Sequence, residues 1–314
     1  MISEIYPWQQ QQWQQLELAF TCGRLAHAML FVGPKGTGKN DLAIFLASKI
    51  LTSKSQQFLG LIEADTHPDL LRLGLSQNSK VIKVDDLRDF ISKTALSPKI
   101  ADQKVAIIDN CEMMTKSSAN NFLKVLEEPI GKTSFILISH QQQEIITTIL
   151  SRCQRFIFPE PNHQIALKWL SNYEIKNPEL ALGMSNQAPV LAKDYQNLNI
   201  EKLYLEILDK FNKLNFQDIF ATSRSWSSLS KLVTSNQILS WWQSLINELI
   251  KKSLNNKYPL PKIYQQFKHN PETMSLIRFY DQLSAAKIML KTNISPRLLF
   301  DDLLLSWHGI WQKN

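Results

Sequence analysis

One short segment of the chain has the residue types and spacing of a phosphate-binding loop. It runs Gly33-Pro34-Lys35-Gly36-Thr37-Gly38-Lys39-Asn40 and matches the pattern G-x-x-x-x-G-K-[ST] at every fixed position except the last. In such a loop, backbone N–H groups surround the phosphates, the lysine binds the terminal phosphates, and a final hydroxyl binds Mg²⁺. Asn40 offers a neutral amide instead of that hydroxyl. The sequence therefore predicts a vestigial nucleotide site formed by Gly33, Gly36, Gly38, Lys39 and Asn40.

A phosphate loop also needs a carboxylate at the end of a neighbouring strand, where it holds magnesium and activates water. Asp109 directly follows an apolar segment, 105–108, and meets that requirement. An ATPase with paired acids would have Glu next, where this chain has Asn110, and we expect Glu112 to point away from the site. Because Asn40 and Asn110 affect the same function, we predict that hydrolysis is lost. A purely structural glycine turn and residual phosphate binding at Lys39 both stay open.

The elements around these residues alternate between short apolar strands and helical patterns, which indicates a parallel sheet covered by helices. Segment 28–32 reads as the strand that enters the loop, and 41–47 as the helix that leaves it. Further strands are predicted at 81–84, 105–108 and 135–138. The alternation of strands and helices ends near Phe158. A cluster of glutamines at 9–15 is expected to lie on a solvated helix face.

The prolines at 159 and 161 end this alternation, and every later segment reads as helix. Apolar residues recur at helical spacing over 238–250 and again over 295–311. Such stripes usually form intramolecular core, but long aromatic stripes in a small helical region are also typical of subunit interfaces. Both interpretations stay open.

Composition excludes several classes of protein. The chain has 314 residues, of which 44% are hydrophobic, and its three cysteines are too scattered for a disulfide framework or a cysteine-based zinc site. We find no signal peptide and no segment with the length of a membrane span, so we expect a cytoplasmic protein without membrane contacts. The net charge is +7, but residues 161–314 hold 18 basic and 12 acidic residues, so the excess lies away from the phosphate loop.

Two further motifs follow the loop. A predicted helix ends in Leu123-Lys124-Val125-Leu126-Glu127-Glu128-Pro129, and Ser151-Arg152-Cys153 comes after the next strand. Together with the loop, with Tyr6-Pro7-Trp8, with His67-Pro68-Asp69 and with the segment 293–304, these motifs resemble the bacterial clamp-loader branch of the AAA+ ATPases. The resemblance spans nearly the whole chain.

This resemblance implies an α/β plus all-α fold in three parts. They are a P-loop AAA+ domain at 1–158, a small helical lid at 159–205 and a helical collar at 206–314 that oligomerises. It implies a non-hydrolysing stator subunit in a hetero-pentameric ring with gamma/tau and delta subunits. That ring is expected to load the sliding clamp onto primer–template DNA. ATP would be bound by the neighbouring subunits, and this chain would need no cofactor of its own.

The resemblance also assigns the catalytic contribution. Arg152, within the motif that includes Ser151 and Cys153, would act as an arginine finger on the ATP of an adjacent subunit. An ordinary surface arginine in a weak salt bridge is the alternative. Members of this group commonly have a four-cysteine zinc module, but residues 51–66 contain no cysteine, so we expect a zinc-free variant.

Two other functions are the alternatives to a stator subunit. An active clamp-loader-type ATPase would have to tolerate Asn40, which the second change at Asn110 makes harder to accept. A plain DNA-binding protein that uses its basic helical half would bind duplex with a steep salt dependence. The near-neutral first half argues against it.

Overall fold

The computed structural model of the chain describes residues 5–52, 58–76, 79, 81–129, 131–197, 200–231, 233–267, 271–290, 292 and 294–311. It separates into two compact units. The first comprises Met1–Trp169 and Ala188–Leu191, and the second comprises Leu170–Gln187 and Ala192–Asn314. This division does not test the three-domain interpretation, which stays a prediction.

The first unit is built on a five-stranded parallel sheet with the strand order β2-β3-β4-β1-β5. The strands are β1 (Ala28–Val32), β2 (Leu70–Leu73), β3 (Lys104–Ile108), β4 (Thr133–Ser139) and β5 (Gln154–Ile157). The helices are α1 (Gln10–Thr21), α2 (Lys39–Leu51), α3 (Leu59–Glu63), α4 (Val84–Ala95), α5 (Lys116–Glu127), α6 (Thr147–Leu150) and α7 (His163–Leu170).

Helices cover both faces of this sheet. Successive strand residues point to opposite faces, and apolar residues on both faces form two separate cores. In β1, Leu30 joins a core with Phe90 and Phe122 from α4 and α5. Its neighbour Phe31 joins the other core, with helices α1 and α2. The central strands are buried throughout, as expected for a parallel sheet with two covered faces. The α/β prediction for this half of the chain is confirmed.

One predicted strand is wrong. Segment 81–84 forms only an isolated bridge from Ile82 to Met114, and the strand in this part of the chain is β2. Helix α4 begins at Val84, and Asp85 and Asp86 occupy its first turn. Acidic side chains are favourable at that end of a helix, so the helix starts within the apolar run that had indicated a strand.

The second unit is helical in its described residues. Its helices are α8 (Pro178–Met184), α9 (Pro189–Asn197, whose first residues group with the first unit), α10 (Ile200–Asn212), α11 (Ile219–Ser227), α12 (Ser235–Leu254), α13 (Thr273–Met289) and α14 (Pro296–Trp311). The predicted boundary after residue 205 falls inside α10. The all-α prediction for this half is confirmed.

An aromatic core fills this unit. Phe211 stacks on Trp242 and Trp307, with ring centroids 4.5 and 4.3 Å apart. The α12 stripe that we considered as an interface, including Trp241 and Trp242, is buried inside the unit. The inner residues of α14, Leu303 and Trp307, are buried there as well. Both stripes are therefore intramolecular core.

No helix among the described residues is long and apolar enough to cross a membrane.

Candidate functional site

The phosphate loop connects the end of β1 to the start of α2, as the sequence predicted. Two of its glycines are required by geometry. A Cβ on Gly33 would lie 2.1 Å from the carbonyl oxygen of Phe158, and a Cβ on Gly38, which has φ +78°, would lie 2.2 Å from the ring of Tyr6. Glycine is therefore needed whether or not a phosphate binds.

Lys39 is buried, and its ammonium binds the loop itself. Its Nζ donates to the carbonyl oxygens of Gly33 and Pro34, at 2.7 and 2.6 Å. Burial lowers the pKa of Lys39 to about 8, although the negative charges of Glu112 and Asp109 oppose this shift. In the chain as it stands, the loop carbonyls occupy the donors that a phosphate would otherwise use.

Residues that precede the loop in the sequence and residues that follow it both donate hydrogen bonds to the loop carbonyls. The indole of Trp8 and the amide of Gln9 each donate to the carbonyl oxygen of Thr37, both at 2.9 Å. The backbone N–H groups of Val190 and Leu191 donate to Gly36, at 3.1 and 3.4 Å. Gln9 is completely buried and Gln12 nearly so. The other four glutamines of the cluster, at 10, 11, 14 and 15, are exposed as expected, so the expectation of a solvated face is wrong only for Gln9 and Gln12.

The loop lacks the hydroxyl ligand that would bind Mg²⁺. Asn40 offers only an amide, whose Oδ1 is buried without a hydrogen-bond partner among the described residues. A neutral amide does not replace the hydroxyl that such loops use on Mg²⁺. Asp109 lies at the end of β3 as predicted, but its Oδ1 accepts from the backbone N–H of Asn110, at 2.9 Å.

Asn110 has a structural reason to be asparagine. Its backbone is left-handed, with φ 54° and ψ 45°. Asn adopts this conformation more readily than Glu, because its short polar side chain can bond locally. The residue that replaces the second acid therefore also suits the turn after β3.

Two residues near the loop were missed or misjudged in the sequence. Glu112 does not point away from the site: its Oε1 accepts from the backbone N–H of His140 at 3.0 Å, and its charge acts on Lys39. Burial raises the pKa of the Glu112 carboxyl. His140 directly follows β4, which lies between β1 and β3 in the sheet. Its place after a predicted strand, like that of the loop and of Asp109, is the sequence signal that could have identified it.

His140 is neutral even though it lies close to an acid. Its Nε2 is 3.6 Å from Oδ1 of Asp109, a separation that would suit an ion pair. Burial, with the positive charges of Lys39 and Lys35, lowers the pKa of His140 to about 3. The distance is also too long for a good hydrogen bond, so the pair is not a salt bridge at neutral pH.

Arg152 lies in a separate cluster of contacts. Its Nε donates to Oε1 of Glu127 at 2.8 Å, and its Nη2 forms a shorter bond to the same oxygen. Its Nη1 donates to the carbonyl oxygen of Thr148 at 3.0 Å and to Oγ of Ser151 at 3.3 Å. Cys153 is part of the sheet core, where burial raises the pKa of its thiol to about 12.

The phosphate loop and Arg152 lie at opposite ends of two neighbouring strands, β1 and β5. Strand β5 runs parallel to β1, with Gln154 opposite Met29. Arg152 precedes β5, whereas the loop follows β1. Four strand residues separate them by roughly 13 Å along the strand direction. Arg152 is therefore too far away for direct contact with a phosphate in the loop of its own chain.

Comparison with known proteins finds a matching family model and several similar proteins. Residues 8–162 match the family model described as "DNA polymerase III, delta subunit". The delta' subunit of DNA polymerase III from Pseudomonas aeruginosa is 28% identical over 98% of this chain and 99% of that protein. The chain is thus homologous over nearly its whole length to delta' subunits of bacterial DNA polymerase III. A delta' subunit from Bacillus subtilis is 27% identical over 90% of this chain and 91% of that protein.

A solved structure supports the fold. A DNA polymerase III gamma subunit-related protein from Thermotoga maritima aligns with 95% of this chain and 99% of its own, at a TM-score of 0.54 and 16% identity. Among the described residues, no group of three or more His, Cys, Asp or Glu side chains could hold a metal ion. Residues 53–57 of the cysteine-free window lie outside the described residues, so the zinc-free expectation stays a prediction.

Proposed function

We propose that the chain is the non-hydrolysing stator subunit of a DNA polymerase III clamp loader and that Arg152 acts as an arginine finger in trans. Its partners would be gamma/tau and delta subunits in a hetero-pentameric ring that loads the sliding clamp onto primer–template DNA in the cytoplasm. The chain would bind no cofactor, since its neighbours would bind and hydrolyse the ATP.

The position of Arg152 carries this proposal. Because Arg152 lies at the strand end opposite the phosphate loop, a phosphate that it stabilises would have to be held by another chain. A guanidinium there would stabilise the charge that develops on the transferring phosphoryl group, a role worth about 10³ to 10⁵ in rate in other systems.

The state of the loop supports the absence of hydrolysis. Lys39 is bonded to loop carbonyls, Asn40 lacks a hydroxyl, and Asn110 replaces the second acid. We expect the isolated chain to release no phosphate from ATP above background in a steady-state assay. Magnesium-dependent turnover that Lys39→Ala abolishes would contradict this and favour an active ATPase subunit.

The finger is tested in the assembled ring. We expect Arg152→Ala to leave assembly unchanged in gel filtration and to slow single-turnover hydrolysis at the adjacent site by about 10³-fold or more. Arg152→Lys should also be impaired, because lysine keeps the charge but loses the planar fork. Unchanged clamp- and DNA-stimulated hydrolysis in a fully assembled Arg152→Ala ring would remove this role.

A further inference from the structure

The Arg152 side chain is held by its own chain from two directions. Glu127, at the end of α5, accepts from Nε and Nη2, and the turn at 148–151 accepts from Nη1. One N–H of Nη2 is left without an acceptor among the residues that the structure describes. The guanidinium is thus fixed and still has a donor to offer.

The backbone next to Glu127 is held by buried contacts of the preceding residues. The preceding residue, Leu126, is buried in the sheet core, and its carbonyl oxygen lies 2.9 Å from Nε2 of His27, just before β1. Phe122, one turn earlier, is fully buried. The Glu127 carboxylate therefore cannot shift far without disturbing the end of α5.

A carboxylate is electrostatically out of place at this end of a helix. The C-terminal end of a helix carries partial negative charge, which disfavours an acid there. Glu127 is the last residue of α5, and Glu128 follows it. Only Glu127 of the two contacts Arg152. Helix stability therefore gives no reason for an acid at 127, whereas the bond to Arg152 does.

We propose that Glu127 is a positioning residue that fixes the Arg152 guanidinium before the neighbouring subunit's ATP reaches its transition state. This inference rests on the proposed finger role of Arg152. A free arginine side chain loses rotamer entropy when it is immobilised. Contacts that immobilise it beforehand remove part of that cost from the chemical step.

The test uses the complete clamp loader reconstituted with Glu127→Ala, Glu127→Gln or Glu128→Gln. Glu128 is the matched control, because it is an exposed acid at the same helix end without a contact to Arg152. We expect Glu127→Ala to lower kcat for clamp- and DNA-stimulated ATP hydrolysis by roughly 3- to 10-fold, with KM for ATP unchanged. Glu127→Gln, which keeps an acceptor oxygen, should lose less, and Glu128→Gln should match the wild type.

A double variant separates positioning from a purely structural role. If Glu127 acts through Arg152, then Glu127→Ala added to Arg152→Ala should cause no further loss of kcat. Additive losses would overturn the inference, and so would an unchanged or increased kcat in Glu127→Ala. If that variant does not assemble, the near-isosteric Glu127→Gln gives the same comparison, and wild-type kcat in it would count against positioning.

The finger and its positioning can fail separately. If Arg152→Ala in an assembled ring hydrolyses ATP normally, the proposed function itself is wrong. If Arg152→Ala is impaired but both Glu127 variants have wild-type kcat, only the positioning role is wrong.

Discussion

At the scale of single residues, the changes that distinguish this loop from an active one are also part of a stable local structure. Lys39 satisfies two loop carbonyls, and Asn110 occupies a left-handed turn. Restoring the usual catalytic residue types one at a time would therefore disturb existing contacts before it created a site.

The turn at Asn110 gives the first prediction. We expect Asn110→Ala and Asn110→Glu to lower the free energy of unfolding by about 1 kcal/mol, since a side chain without local bonding is strained at φ 54°. Asn110→Gly, which adopts this conformation without a Cβ clash, is the matched comparison and should lose less. Urea denaturation measures the three variants, and equal losses in all of them would show that backbone strain is not the cause.

His140 gives a pH dependence. In the folded chain the pKa of His140 is about 3, whereas an unfolded histidine titrates near 6.5. Below pH 6.5 the unfolded state binds more protons, so the free energy of unfolding falls as the pH decreases toward 3. Relative to His140→Gln, wild-type stability should fall by about 2 kcal/mol between pH 7.5 and pH 5.

That comparison needs a second histidine. His163→Gln, at an exposed position, controls for the removal of a histidine as such. Parallel stability curves for wild type and His140→Gln over this pH range would mean that the pKa of His140 is the same in the folded and unfolded states.

At the scale of elements, an exposed apolar face lies on α13, a helix that the sequence analysis did not single out. The stripes of α12 and α14 are core, but α13 is apolar on its outer side as well. Met274, Ile277 and Ile288 are 51%, 36% and 67% exposed and lie on one face at helical spacing. An exposed apolar face of this kind is typical of an interaction surface.

We therefore expect Ile277→Asp and Ile288→Asp to keep the chain out of the clamp-loader ring. Leu254→Asp is the matched control, because Leu254 is 73% exposed at the end of α12 and lies off this face. Co-elution with partner subunits in gel filtration measures the effect, and circular dichroism checks folding. Normal co-elution of both α13 variants would exclude this face from the interface.

The sequence predicted the elements whose signals are local. The strand–loop–helix unit at the phosphate loop and the strands β3 and β4 follow from apolar runs and glycine spacing. The sequence could not show whether the apolar stripe of α12 is core or interface. A periodic stripe indicates that a helix face is buried, but not whether the same chain or a partner covers it. Gln9, Glu112 and His140 were misjudged or missed because their burial depends on contacts with distant segments.

At the scale of the whole molecule, the order of strands in the sheet affects how the chain can be made. Strand β1 is an inner strand that pairs with β4 on one side and β5 on the other, and Ala28 lies opposite Phe135. One hundred residues, 33–132, must therefore be synthesised between the end of β1 and the start of its first neighbour, β4. At about 5–20 residues per second, β1 waits for at least several seconds with both edges unpaired.

During this interval the apolar strand Ala28–Val32 is a target for chaperones and for pairing with other nascent chains. Nascent chains stalled after residue 130 should consequently be cleaved readily by protease, whereas chains that have exposed residues up to 162 should be protected. Protection of the shorter chains would mean that the first unit gains stable structure without its central strand in place. Translation speed between β1 and β4 is thus a property on which the yield of folded subunit depends.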